Sequence, residues 1–316
     1  SPPAAHVADM LTTASYEDYP ALKAFAKSVS VVTYEFENIP IETFNCLEEY
    51  APIRPRQEAL RISQDRLFEK AYLNELGLET ASYADVKTIK DLEMALSNIG
   101  TPSILKTRRF GYDGKGQIPI SETSNCREVL EKLAGQKSIL EGFVNFSHEV
   151  SIIGARSPLG NISCFDPGEN LHRNGILHST TVPARLSKSQ RTDAILIIAK
   201  IMNALEYIGV MCVELFVTPS GLIVNEIAPR VHNSGHWTQN GCAIDQFEQH
   251  IRAIAGWPLG DGSRHNDILM ENLIGKDIDQ IGRHALEKNV ALHVYGKYDV
   301  QPGRKMGHIN RIRPVM

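Results

Sequence analysis

Residues 213–224, VELFVTPSGLIV, place two apolar runs on either side of Pro219-Ser220-Gly221. Such a segment folds back on itself, which predicts a β-hairpin over 210–228. Two carboxylates constrain it further. A three-residue turn pairs Thr218 with Leu222 and sets Glu214 opposite Glu226; a two-residue turn sets Asn225 opposite Glu214 instead. Carboxylates facing each other across a hairpin repel. A hard cation between them makes the arrangement tolerable, and Mg²⁺ carrying nucleotide phosphates is the usual occupant. Immediately after this apolar hairpin comes NEIAPRVHNSGHWTQNG, residues 225–241, with Arg230, His232, Asn233, Ser234, His236 and Trp237 crowded into one loop. A wetted loop rarely holds a Trp and two His, whereas a site for a small polar molecule needs this mixture.

The rest of the chain sets the frame. Its 316 residues predict more than one domain, and a net charge of −4 gives no reason to expect nucleic acid as a partner. No apolar run reaches membrane-spanning length. The cysteines (46, 126, 164, 212, 242) are scattered and odd in number, as expected of free thiols in the reducing cytoplasm. The opening residues lack an initiator Met and read like a loop inside a domain.

Ser15 with Asp18 resembles a capping box and predicts a helix over 16–28. SVSVVTYEF reads as a short buried strand, followed by a helix opened by Pro40. That alternation belongs to an open parallel α/β sheet, with Glu35, Glu37 and Asn38 at a strand's carboxyl end. ISQDRLFEKAYLNEL reads as one long helix closed by Gly77. Residues 80–145 read as a compact α+β unit: strand 80–86, helix 88–98, strand SILKT, a glycine loop, strand QIPI, helix 124–134 and strand SILEGFV. Beyond 148 strands dominate (EVSIIGAR, NISCFDP, ILHSTTVPA, ILMENLIG, ALHVYGK), with helices at 187–207 and in IDQFEQHIRAIAG. QPGRKMGH reads as a basic turn.

LKTRRFGYDGKGQ, residues 105–117, sets Gly111, Gly114 and Gly116 between two apolar strands, with Lys106 on the first. Glycine amides approach phosphates closely, and Lys106, Arg108, Arg109 and Lys115 supply positive charge. The loop is neither a Walker A nor a dinucleotide fingerprint. Near the C-terminus, Lys297, Arg304 and Lys305 offer cations for a second anionic group, a choice that spacing alone leaves open.

Together these features resemble the ATP-grasp superfamily. More closely, YEFENIP, RRFGYDGKGQ, EGFVNFSHEVSIIGAR, ENLHRNGIL, NEIAPRVHNSGHWTQNG and PGRKMGH resemble, in order and over residues 31–308, the N5-carboxyaminoimidazole ribonucleotide synthase (PurK) family. The resemblance implies an α/β and α+β chain with an ATP-grasp fold. Its parts would be a parallel α/β pre-ATP-grasp domain over 1–62, an ATP-grasp domain over 63–256 with a lid at about 80–147, and a C-terminal domain over 257–316. It implies that ATP, bicarbonate and 5-aminoimidazole ribonucleotide give the N5-carboxylated ribonucleotide, ADP and phosphate through carboxyphosphate, in a homodimer. ATP would be held by Arg61, Lys106, the loop Gly111, Tyr112, Asp113, Gly114, Lys115, Gly116 and Gln117, then Glu141, Gly142, Phe143 and Val144, and Glu149, His172, Asn225 and Glu226. Glu214 and Glu226 would hold Mg²⁺. Glu35, Tyr112, Asp113, Arg230, His232 and Asn233 would carry the chemistry, and Ser234, Trp237, Lys297 and Arg304 would bind the ribonucleotide. The family opens with a strand and a glycine-rich turn that these residues do not include, so a further N-terminal strand-turn-helix is expected in the native product.

Overall fold

The computed structural model describes residues 3–111 and 114–315. The N-terminal unit packs α1 (Tyr19–Lys27), α2 (Ile41–Glu48) and α3 (Gln57–Ser63) around Tyr34, Phe44, Leu47 and Leu60. α1 starts later than expected, because Asp18 supplies the cap: its carboxylate accepts from Ala21 N, while Ser15 Oγ serves Glu17 N. The expected strand over SVSVVTYEF shrinks to one parallel bridge between Val32 and Ile53. Its neighbours are drawn elsewhere, Thr33 to His250 at 2.8 Å and Tyr34 edge-on to Phe44.

The long helix expected over 62–76 is two. Asp65 ends the run after α3 and caps α4 (Arg66–Glu75) by accepting from Leu67 N, while Arg108 grips the same carboxylate. Gly77, at φ 68°, closes α4, where a side chain would be strained.

Next comes a four-stranded antiparallel sheet in the order β1-β4-β2-β3, made of β1 (Tyr83–Val86), β2 (Ser103–Thr107), β3 (Gln117–Ile120) and β4 (Ser138–Gly142). Helices α5 (Ile89–Ile99) and α6 (Cys126–Lys132) cover it through Leu92, Ala95, Leu105, Val129 and Leu140. A Thr88–Asp91 capping box starts α5.

A nine-stranded sheet forms the body. Its strands are β5 (His148–Arg156), β6 (Ile162–Cys164), β7 (Gly168–Arg173), β8 (Ile176–Val182), β9 (Gly209–Thr218), β10 (Gly221–Ala228), β11 (Asp267–Ile274), β12 (Val290–Val294) and β13 (Lys305–Arg313). They run β10-β9-β5-β7-β8-β11-β13-β12, with β6 on β5. The last three strands thus continue the same sheet. Sequence reading passed over β7 and β13: polar residues interrupt ENLHR, and KMGHINRIR follows a basic turn that hides its alternation. Val150 and Ile152 of β5 face one core with α4 and α7 (Lys188–Ala204), while Ile153 and Ala155 face another with Phe165, Trp237 and Met270. With both faces covered, the middle of β5, Val150 to Ala155, holds a single polar residue, Ser151. After β10 come the short α8 (Thr238–Gly241) and α9 (Gln246–Ala255).

Candidate active site

Of the two turn lengths open from sequence, the β9–β10 hairpin takes the two-residue one, since Gly221 pairs with Thr218. The carboxylates nevertheless face each other. A β-bulge skips Asn225, and the register passes from Val224–Leu215 to Glu226–Glu214. Val224 and Ile227, three residues apart, therefore enter the same core. Directly opposed residues of an antiparallel pair point to one face, so Glu214 and Glu226 share a side of the sheet.

Their surroundings differ. Burial, then the charge of Glu226, pushes the Glu214 carboxyl up to about 7. Burial works the same way on Glu226, but Arg66, Lys106 and Lys70 outweigh it and hold Glu226 low. Arg66 donates to Glu226 Oε2 at 3.0 Å. Lys106 and Lys70 converge on Glu141 Oε2 at 2.8 and 3.4 Å. Lys70 Nζ reaches Asn225 O at 3.4 Å, and Glu69 Oε1 accepts from Ile227 N at 2.7 Å. Burial, then Glu226, raises Glu69 to about 8. Asn225 Oδ1 and Glu141 Oε1 are buried without a hydrogen-bond partner among the described residues. Such orphaned acceptors call for an incoming ligand. A carboxylate pair beside an orphaned amide oxygen is the hard-oxygen set that Mg²⁺ takes when phosphates complete its shell, so these residues fit that ion.

Two expected anionic-site residues stand elsewhere. Arg61 is half-exposed on α3 and paired with Glu58 at 2.7 Å; the arginine in the cluster is Arg66, at the start of α4. Arg108 is locked between Asp65 and Asp85 at 2.6 and 3.1 Å and serves as a brace. Arg66, Glu69 and Lys70 went unrecognised because their spacing fits an ordinary amphipathic helix. Only the charge pattern R-x-x-E-K on a face that also buries Leu73 could have signalled them.

In the glycine loop, Gly114 and Gly116 take φ of 75° and 71°. A methyl group on Gly116 would stand 2.5 Å from Thr107 Oγ1, and one on Gly114 would meet Gly175 in the β7–β8 turn. The loop therefore lies close against its neighbours, with Lys115 on its exposed rim. Tyr112 and Asp113 lie outside the described residues. Gln117 begins β3, opposite Lys106. Gly142, Phe143 and Val144 run on from Glu141 at the end of β4, and Phe143 is exposed. On the adjacent strands β7 and β5, His172 meets Glu149 at 2.5 Å. Burial disfavours its imidazolium, yet Glu149 holds its pKa up.

The loop after β10 sorts its polar residues. Arg230 Nε pairs with Glu37 at 2.9 Å, and Glu35 adds to the field on it. His232 Nδ1 lies 2.8 Å from Ser234 Oγ, which accepts from Ser151 Oγ at 2.7 Å, and its Nε2 sits 3.6 Å from Glu214. Burial, then Arg230, keeps His232 neutral. Asn233 exchanges amide hydrogen bonds with Asn272 at 2.9 and 2.7 Å. Two expected ligand contacts are corrected. Ser234 is fully buried and positions His232; Trp237 is fully buried, edge-on to Phe165, and anchors the loop in the core. Gln246, unnoticed in the sequence, ties His232 N and O and His236 Nδ1 together at 2.8–2.9 Å. At the far side, Lys297 donates to Lys305 O, and Arg304 stands close enough, with Lys305, to lower the pKa of Lys297, an effect second to burial.

Acidic hairpin, paired lysines and glycine loop define an ATP-grasp enzyme, and the ATP-grasp domain model matches residues 71–247. A ribonucleotide synthetase preATP-grasp domain matches 1–64, and the phosphoribosylaminoimidazole carboxylase C-terminal domain matches 269–315. The N5-carboxyaminoimidazole ribonucleotide synthase of Brucella melitensis is 49% identical, covering 99% of this chain and 87% of its own length. A crystal structure of an ADP complex of PurK superposes with a TM-score of 0.94 at 39% identity, covering 98% of this chain and 83% of that one. The Aspergillus clavatus synthase in complex with ADP and 5-aminoimidazole ribonucleotide gives 0.93 at 27% identity, covering 99% and 85%. The chain belongs to the N5-carboxyaminoimidazole ribonucleotide synthase family of ATP-dependent ligases of purine biosynthesis.

Proposed function

We propose that the chain carboxylates 5-aminoimidazole ribonucleotide with bicarbonate as ATP is cleaved to ADP and phosphate. The observation carrying this reading is the Glu214–Glu226 pair, flanked on one side by Arg66, Lys70 and Lys106 and on the other by the Arg230–Asn233 loop. Phosphoryl transfer asks a protein mainly for position and charge. Lys106, Lys70 and the glycine amides serve the phosphates, with Glu141 to Val144, Glu149 and His172 bordering the nucleotide. Bicarbonate oxygen attacks the γ-phosphorus and ADP leaves. The substrate amine then attacks the carboxyl carbon of carboxyphosphate, the C–O bond to phosphate breaks, and nitrogen gives up a proton. Neutral His232, its Nδ1 accepting from the Ser234 amide at 3.3 Å, carries its proton on Nε2 and is suited to donate to bicarbonate and orient it. Arg230 and Asn233 orient the reacting groups with Glu35, Tyr112 and Asp113, while Lys297 and Arg304 suit the ribonucleotide phosphate.

Glu214 and Glu226 would hold Mg²⁺, which would offset charge on the β- and γ-phosphates. Residues 1–62, 63–256 and 257–316 act as the three working segments, in a cytoplasmic homodimer. The test is ATP cleavage with added substrates. Stimulation by 5-aminoimidazole ribonucleotide with bicarbonate is expected; stimulation by glycinamide ribonucleotide with formate instead would overturn the assignment.

A further inference from the structure

The outer edge of β10 shows how the acidic hairpin is held. β10 ends the sheet order, and among the described residues its outer edge carries only an isolated parallel bridge from Thr80 to Val224. The chain preceding the lid occupies that edge: Glu79 O accepts from Val224 N at 2.8 Å, Lys70 Nζ reaches Asn225 O, and Glu69 Oε1 accepts from Ile227 N. These contacts bracket the bulge, where the ladder itself cannot fix the strand. Glu69 is 2% exposed. Burying a carboxyl to satisfy one edge amide is a poor route to stability, since desolvation costs more than one hydrogen bond returns. Arg66, Glu69 and Lys70 stand at i, i+3 and i+4 on one face of α4, so the helix meets side chain and backbone of the 225–227 segment together.

We propose that Glu69 is a positioning residue for the reaction: through the Ile227 amide it fixes the bulge that aims Glu226 and Asn225. This rests on the reading of Glu226 as a metal ligand. Outer partners of metal ligands typically change affinity or activity by about 10- to 100-fold when removed.

The test uses Mn²⁺ in place of Mg²⁺, its binding to the ADP-loaded full chain measured by electron paramagnetic resonance, beside the Mg²⁺ dependence of ATP cleavage. Glu69→Gln keeps an acceptor oxygen at the same reach and should bind Mn²⁺ like the parent. Glu69→Asp keeps the carboxyl group but withdraws the acceptor by one bond, and should weaken Mn²⁺ by about 10-fold or more, with ADP affinity in the absence of metal unchanged. Glu69→Leu should do the same. If Asp and Leu lower only the melting temperature and leave Mn²⁺ binding intact, Glu69 merely satisfies an edge amide and the proposal fails. If Gln loses as much as Asp, the carboxyl group itself and not the reach of the acceptor matters, and it fails too. A Glu226→Gln control that leaves Mn²⁺ binding unchanged would instead remove the underlying metal-ligand reading.

Discussion

Arg61 and Arg66, five positions apart, show what a side chain's surroundings decide. Arg61 and Glu58 are each about half exposed, and such pairs contribute roughly 0–1 kcal/mol. Arg66 is mostly buried and compensates Glu226. Arg61→Ala should leave the KM for ATP unchanged, whereas Arg66→Ala should raise it and cut turnover by about tenfold or more, since losing a buried partner costs on the order of 3 kcal/mol; steady-state kinetics separates them. Glu226→Gln keeps shape but removes one charge, and should lower ATP cleavage by about two to four orders of magnitude while circular dichroism stays native. Lys106, Glu141, Glu214, Glu226 and Arg230 could be named from the sequence because each falls within a distinctive local string. Ser234 and Trp237 sit in such a string too, yet face inward, and no local pattern says which way a loop residue turns. Trp237 in particular packs beside Phe165 and Met270, so Trp237→Ala should destabilise the fold by about 3–5 kcal/mol, checked by denaturant unfolding.

Among the elements, those read correctly carry their own local signals: the Ser187–Gln190 capping box of α7, the Thr88–Asp91 box of α5, the glycine that closes α4. The break at Asp65 escaped because it depends on Arg108, 43 residues away. The bulge escaped because it compensates a shorter turn, and only tertiary contacts on the edge of β10 choose between the two hairpins.

β12 and β13 hold a further consequence. His293 and His308, cross-strand partners, stack at 4.4 Å, and His236 lies 4.9 Å from His308. Tyr295 and Asn240 bond this group, and Lys305 and Arg230 add positive charge to His236. Burial first, then His232 and His293, then Lys305 and Arg230, drives His236 to about 3; burial and the two neighbouring histidines drive His308 to about 2. Both stay neutral when folded but bind protons when unfolded below about pH 6.5. Stability is therefore full above that value and is lost as pH falls toward 3, at about 1.4 kcal/mol per unit for each histidine. Urea midpoints at pH 7.5, 6.5 and 5.5 should show this slope, and His308→Asn should reduce it by about one proton's worth.

At the scale of the molecule, one sheet runs from the acidic hairpin to the last strand. Ile268–Glu271 of β11 pair with Ser179–Val182 of β8, so ending the chain at residue 262 would bare a long interior edge. Such a truncation should aggregate on size-exclusion chromatography instead of giving a smaller active monomer. The N-terminal unit is bound as closely: Arg54 donates to Ile254 O at 2.6 Å, Thr33 meets His250, and Arg56 pairs with Glu206.

The Glu37–Arg230 pair brings this to the chemistry, joining the segment matched over 1–64 to the one matched over 71–247, with Lys297 from the C-terminal match within the field of Glu35. Three stretches that evolution could in principle shuffle are thus tied by opposite charges at one point. A chimera that imports residues 1–64 from a distant relative should work only where the donor keeps an acid at position 37, and a donor lacking it should be rescued by restoring that one carboxylate. Heredity in this enzyme would then act on the three stretches as a single unit.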